Sequence, residues 1–191
     1  MFRWISNSLE EDRIWSVGRA WMGRLIIWLF MGYLLIRYLI DPGYADVVFK
    51  NVDFVVHEVG HVIFGLWGSE FLGMAGGTIL QLVVPVVAWV NFMKINDRFA
   101  TKLSLFWLGI NLLDVGTYVK DAQKQVLNLV PLLSPDPIHD WNYLLSSLGI
   151  IKYDWLVGNV FYMLGYVLMI GTSGLMGVML WWMVGNSKAR V

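Results

Sequence analysis

The chain has 191 residues, 58% of them hydrophobic and only 15% charged, with a mean hydropathy of +0.61. That balance excludes an ordinary soluble globular protein and indicates an integral membrane protein. The 14 basic and 14 acidic residues cancel, leaving no basic excess for nucleic acid, and the absence of cysteine excludes disulfides, thiolate metal sites and a cysteine nucleophile.

Taken as a whole, residues 1–191 read as a single all-α domain, a polytopic membrane helix bundle. About five transmembrane helices follow an N-terminal interfacial helix. In the lead-in, residues 1–20, Trp4, Ile5, Leu9, Ile14 and Trp15 mix with Arg3, Arg13 and Arg19, a pattern suited to the membrane interface. Glu10, Glu11 and Asp12, with no small-residue cleavage pattern after the first apolar run, make a permanent anchor the expectation rather than a cleaved signal peptide.

The first span is expected over 21–40 and stops at Asp41-Pro42-Gly43. The second, 46–67, carries the most informative stretch of the chain, His57-Glu58-Val59-Gly60-His61. On a helix, positions i and i+4 share a face, so both imidazoles can bind one metal ion while Glu58 acts as general base on a water polarised by it. Ionisable residues flanked by Phe54-Val55-Val56 and Val62-Ile63-Phe64 are costly in a membrane and mark function. Donors limited to histidine and carboxylate suit a catalytic zinc ion, Zn2+. Asp53, one turn earlier, has two readings: a partner that orients His57, or an acid placed near the helix start. Gly60, Gly65 and Gly68 allow close approach of a neighbour.

A third span is expected over 71–92, turning back tightly at Gly68-Ser69-Glu70, with Gln81 and Pro85 interrupting its apolar run. The fourth, 103–119, carries Asn111, Asp114, Tyr118 and Asp121 at spacings of one helical stripe, which should face the bundle interior. Asp114 and Asp121 would stand about 10 Å apart along the axis, so both cannot bind one ion. Residues 120–154 read as an extramembrane loop, broken by Pro131, Pro135 and Pro137, with His139-Asp140-Trp141 after them. His139 is the third and last histidine; Asp140 is a candidate to fix its ring. The final span, 155–184, would be about 45 Å long and must tilt or project. Five spans divide the basic residues almost evenly between the two sides, so charge leaves the orientation open.

HExxH in a membrane span, a glycine-rich next span and a helix with Asn111 and acidic residues resemble the three-helix core of the site-2-type intramembrane zinc metalloproteases. In that family the third ligand is an aspartate in a Leu-Asp-Gly motif on the third core helix; the nearest matches are Leu113-Asp114-Val115-Gly116 and Lys120-Asp121-Ala122. The chain is also similar to small bacterial membrane proteins with HExxH, a Tyr-x-x-Asp-Ala segment and a later His-Asp-Trp. Tyr118 to Ala122 and His139 to Trp141 match those pieces. The resemblance implies a zinc hydrolase in a bacterial inner membrane, surrounded by lipids and acting on a transmembrane protein or a lipid amide or ester. The expected ligands are His57 and His61 with Asp121 or His139, and Asp114 as the alternative. A non-catalytic membrane subunit that keeps a metal site is the competing expectation.

Overall fold

The computed structural model describes residues 2–44, 46, 48–127 and 138–187. Among them are seven α-helices: α1 (Phe2–Ser16), α2 (Met22–Ile40), α3 (Phe49–Gly65), α4 (Glu70–Lys94), α5 (Arg98–Lys120), α6 (Asp140–Ser147) and α7 (Asp154–Ser187). A single 3-10 turn, Ile151–Tyr153, leads into α7. The chain is all-α. Three helices, α2, α4 and α7, are long and apolar enough to cross a membrane. α3 has only 17 residues, and α5 is interrupted by Lys102 and Asp114. Of the five expected spans, length and composition thus support three.

Local sequence explains where the elements begin. Asp46 accepts hydrogen bonds from the backbone N–H groups of Val48 and Phe49, satisfying donors that the first turn of α3 leaves unpaired. Ser69 and Asp97 cap α4 and α5 in the same way, through Leu72 N and Ala100 N. The connection after Lys94 is therefore short, because Asp97 starts the next helix immediately. Within the expected 120–154 loop lies α6, which His139 caps through Nδ1. The three prolines of that loop lie outside the described residues.

Antiparallel packing of α5 on α7 forms the central frame, and glycines permit it. Gly109 faces Gly165 and Gly116 faces Gly158, and an added Cβ on any of the four would meet the opposite carbonyl oxygen at 2.8–2.9 Å. The glycines are seven residues apart on both helices, two turns, so they repeat on one face. Around this seam Leu34 and Tyr38 of α2 and Phe106, Ile110 and Leu113 of α5 pack with Met169, Met176, Met179 and Met183 of α7. α1 is held to this frame by charge and by one large side chain. Asp12, buried, receives Arg98 Nη1 at 3.0 Å and Lys102 Nζ at 2.8 Å, and Trp15 Nε1 donates to Asn96 O at 2.7 Å.

α3 packs chiefly on α4, as the tight reversal requires. Gly60 and Gly76 bring the two backbones together so closely that a Cβ on either would collide with the other helix, and Gly73 lies against Gly65. The turn uses Gly68 at φ +72°, a left-handed conformation that glycine adopts without steric cost.

Candidate metal centre

His57 and His61 stand one turn apart on α3, on the side that faces α4 and α6. With Glu58 they form a group whose ligand atoms lie within 4.8 Å of one another, a group that could hold a metal ion. Each imidazole is fixed by its far nitrogen. His57 Nδ1 lies 3.1 Å from Gln81 Oε1 on α4, and His61 Nδ1 lies 2.8 Å from Gly73 O. An acceptor at Nδ1 keeps the proton there, so each ring presents the lone pair of Nε2. Gly77 makes room for one of the rings: an added Cβ would lie 2.5–2.7 Å from three ring atoms of His57.

Both Nε2 atoms point at one oxygen. Asp140 Oδ2 is 2.9 Å from His57 Nε2 and 3.2 Å from His61 Nε2. Burial pushes the Asp140 carboxyl up, but the two neighbouring imidazoles outweigh burial and hold it below the usual carboxylate range. Two lone pairs and an anionic oxygen thus converge, and a proton or a cation has to lie between them. The rings are partly sheltered, their side chains 12% and 21% exposed.

α6 is held over α3 and α4 by contacts from α5 and α4. Asp140 N donates to Tyr118 Oη at 3.1 Å, Asn142 Nδ2 donates to Ala122 O at 2.7 Å, and Trp141 Nε1 donates to Thr78 Oγ1 at 3.2 Å. The Tyr-x-x-Asp-Ala and His-Asp-Trp pieces, 17 residues apart in the chain, meet here. The stripe Asn111, Asp114, Tyr118 and Asp121 faces inward, as expected for carboxylates in an apolar helix; Asn111 is fully buried and Asp121 is buried.

The other expected ligands are placed differently. Asp121 closes the turn after α5, its two oxygens accepting from Val126 N and Leu127 N at 3.0 Å each. It faces His139, whose Nε2 lies 3.4 Å from Asp121 Oδ2 and whose ring stacks at 4.2 Å on Tyr118. Burial pushes the His139 imidazole down, against the pull of Asp121 and Asp140. Since Nδ1 accepts from Asn142 N, Nε2 carries the proton, buried and without a hydrogen-bond partner although Asp121 lies close by. Asp114 lies 3.8 Å from Lys50 Nζ. Asp53 accepts from Trp107 Nε1 at 2.9 Å, toward α5, and Gln81 orients His57 instead.

Gln81 is the residue that sequence reasoning registered only as an interruption of an apolar helix. Its signal was there: a buried amide in lipid-compatible surroundings needs a partner. Comparison of the chain with protein-family models, with curated proteins and with solved structures finds no match in any of the three.

Proposed function

We propose that the chain is a membrane-embedded zinc hydrolase, with His57, His61 and Asp140 as the metal ligands and Glu58 as general base. The observation that carries this reading is the convergence of His57 Nε2, His61 Nε2 and Asp140 Oδ2 while both Nδ1 atoms are occupied by acceptors. Two histidines and a carboxylate with an open fourth position is the donor set of hydrolytic rather than structural zinc. Bound there, zinc supplies Lewis acidity toward a carbonyl and toward water.

The chain's own residues do the rest. Gln81 and the Gly73 carbonyl hold the two tautomers, Tyr118 and Asn142 hold Asp140 in place, and Glu58 takes a proton from the attacking water. In this reading the third ligand passes from Asp121 or His139 to Asp140 at the start of α6, and Asp121 with His139 becomes a support beside the centre. Peptide bonds of spanning segments are the carbonyls that a membrane-embedded site meets most directly, so intramembrane proteolysis is the preferred activity. Three helices capable of crossing a membrane support the setting.

The test is elemental analysis of detergent-purified protein followed by turnover. About one zinc per chain is expected in wild type and in Glu58→Gln, and none in His57→Ala or Asp140→Asn. In proteoliposomes with labelled single-span peptides, wild type is expected to cleave and Glu58→Gln to be silent. A wild-type chain that stays metal-free when zinc is supplied would overturn the reading.

A further inference from the structure

Where α1 meets the start of α2 and the α4–α5 turn, the bundle carries charge that the metal centre does not use. Trp15 anchors α1 there: its indole is buried and its Nε1 donates to Asn96 O. The acidic residues of α1 are all engaged. Asp12 takes Arg98 and Lys102, Glu11 takes Arg98 as well, and Glu10 takes Arg13.

Arg19 and Arg24 are left over. Neither has an acidic partner among the described residues; Arg19 Nε donates to Trp15 O and Arg24 Nη1 to Ala20 O, each four residues back. Gly18, at φ +73°, turns the chain after α1, and Arg19 N closes that turn on Ser16 O. The Arg19 guanidinium then lies 4.0 Å from the centroid of the Trp15 ring, and that of Arg24 lies 5.3 Å from the same centroid. The ring face attracts both cations, but two like charges beside one indole repel each other, and an anion between or beside them relieves that.

A cavity of about 420 Å³ opens at this junction, a size suited to a small ligand or a headgroup. Arg19 and Asn96 line it together with Ile14, Trp15 and Val17, and its remaining charged residues, Glu11 and Arg98, are paired with each other. With Nε engaged by Trp15 O, the two terminal nitrogens of Arg19 are free to fork onto an oxyanion. Asn96 ends α4 at φ +55°, a left-handed position where glycine fits without steric cost. Asparagine there adds an amide to the cavity wall, and among the described residues that amide has no partner. Ile14 and Val17 are 65% and 55% exposed, so open apolar surface adjoins the cationic wall.

We propose that this cavity binds the headgroup of an anionic phospholipid. Arg19 forks onto the phosphate oxygens, the Asn96 amide donates to the headgroup, and the acyl chains follow Ile14 and Val17. A helix that mixes tryptophan, arginine and aliphatic residues lies at the depth where such headgroups are found. A free phosphate ion would meet the same cations but would leave the apolar part of the wall in water, which is why a lipid fits better. Either leaflet can supply this lipid, so the site implies no orientation. It rests on the membrane setting and not on the metal.

The test uses the whole chain in a neutral detergent, with phosphatidylglycerol, phosphatidylcholine or inorganic phosphate added separately. Native mass spectrometry is expected to show about one phosphatidylglycerol held per chain in preference to phosphatidylcholine. The melting temperature should rise with phosphatidylglycerol alone. Arg19→Gln should weaken retention about tenfold, the scale of one charge-assisted contact. Arg13→Gln, whose cation is already paired with Glu10, should leave retention unchanged. Asn96→Gly keeps the left-handed turn and so folds at least as well, yet should weaken retention roughly threefold. Equal retention of the two lipids, or equal retention by wild type, Arg19→Gln and Asn96→Gly, overturns the proposal. So does the same melting shift with inorganic phosphate, which would mark a site for a free anion. Zinc content, measured on the same samples, reports on the metal centre separately, and release of the chain from membranes by alkaline carbonate would remove the membrane setting itself.

Discussion

The imidazole of His57 occupies the space that a side chain at residue 77 would fill: a Cβ on Gly77 would lie 2.5 Å from His57 Nε2. Glycine is therefore required there by the ring, and by the lone pair that the ring presents. Gly77→Ala should push His57 off its line to Asp140 while leaving α4 helical, since alanine favours a helix over glycine by roughly 0.5–1 kcal/mol. The expected result is loss of bound metal with helical content unchanged, read by elemental analysis beside circular dichroism. Full metal occupancy in Gly77→Ala would show that His57 is not a ligand in this rotamer.

Asp140 and Asp121 have separable roles. Asp140→Asn should abolish metal binding, because it removes the anionic oxygen on which both Nε2 atoms converge. Asp121→Asn should keep the metal and lose stability by about 1.5–3 kcal/mol, the scale of hydrogen bonds to a charged acceptor. Zinc content and denaturation midpoints of the two variants decide the matter; the opposite pattern would return the third-ligand role to Asp121.

Gln81→Leu leaves His57 Nδ1 without its acceptor. Orienting partners of this kind contribute roughly 10- to 100-fold to metal affinity, and a loss of that size is the expectation in competition with a zinc chelator. Gln81→Glu, which preserves an acceptor oxygen, should retain most of the affinity. Equal affinity in Gln81→Leu and wild type would mean that helix packing alone orients the ring.

His139 has a pH signature. Burial holds its pKa below the ordinary 6.5, against the pull of Asp121 and Asp140, so the folded state binds that proton more weakly than the unfolded state. Its contribution is complete above about pH 6.5 and drains away as pH falls from there toward the folded pKa. In metal-free protein, wild type should lose more thermal stability between pH 7 and 5 than His139→Asn, which keeps a helix-capping acceptor without a titrating ring. Parallel curves for the two proteins would rule out a buried neutral His139.

What the sequence made legible was what repeats locally. His57 and His61 are separated by one turn, and the inward stripe on α5 follows helical spacing, so both could be read from residue numbers. Asp140 stands 83 residues from His57, and its approach depends on Tyr118, Asn142 and Trp141 docking α6, a set of long-range bonds with no period. Sequence reading therefore linked Asp140 to its neighbour His139 rather than to the centre. Asp53 shows the converse failure. It shares a helical face with His57, yet that face is divided between α4 and α5, and Trp107 takes the carboxylate. α3 shows a third limit: its apolar flanks suggest a span, but its helix is only 17 residues long.

The hairpin of α3 and α4 supplies two of the converging atoms, and α6, tethered to α5, supplies the third. An ion between them would act as a clasp joining two separately anchored parts of the molecule. Its binding free energy would add to the cohesion of the native state in proportion to the logarithm of its concentration over its dissociation constant. A chain starved of metal would then lose more than a reagent: α3, which leans chiefly on α4, would be left tied to α5 only near its start, through Asp53–Trp107 and Lys50–Asp114.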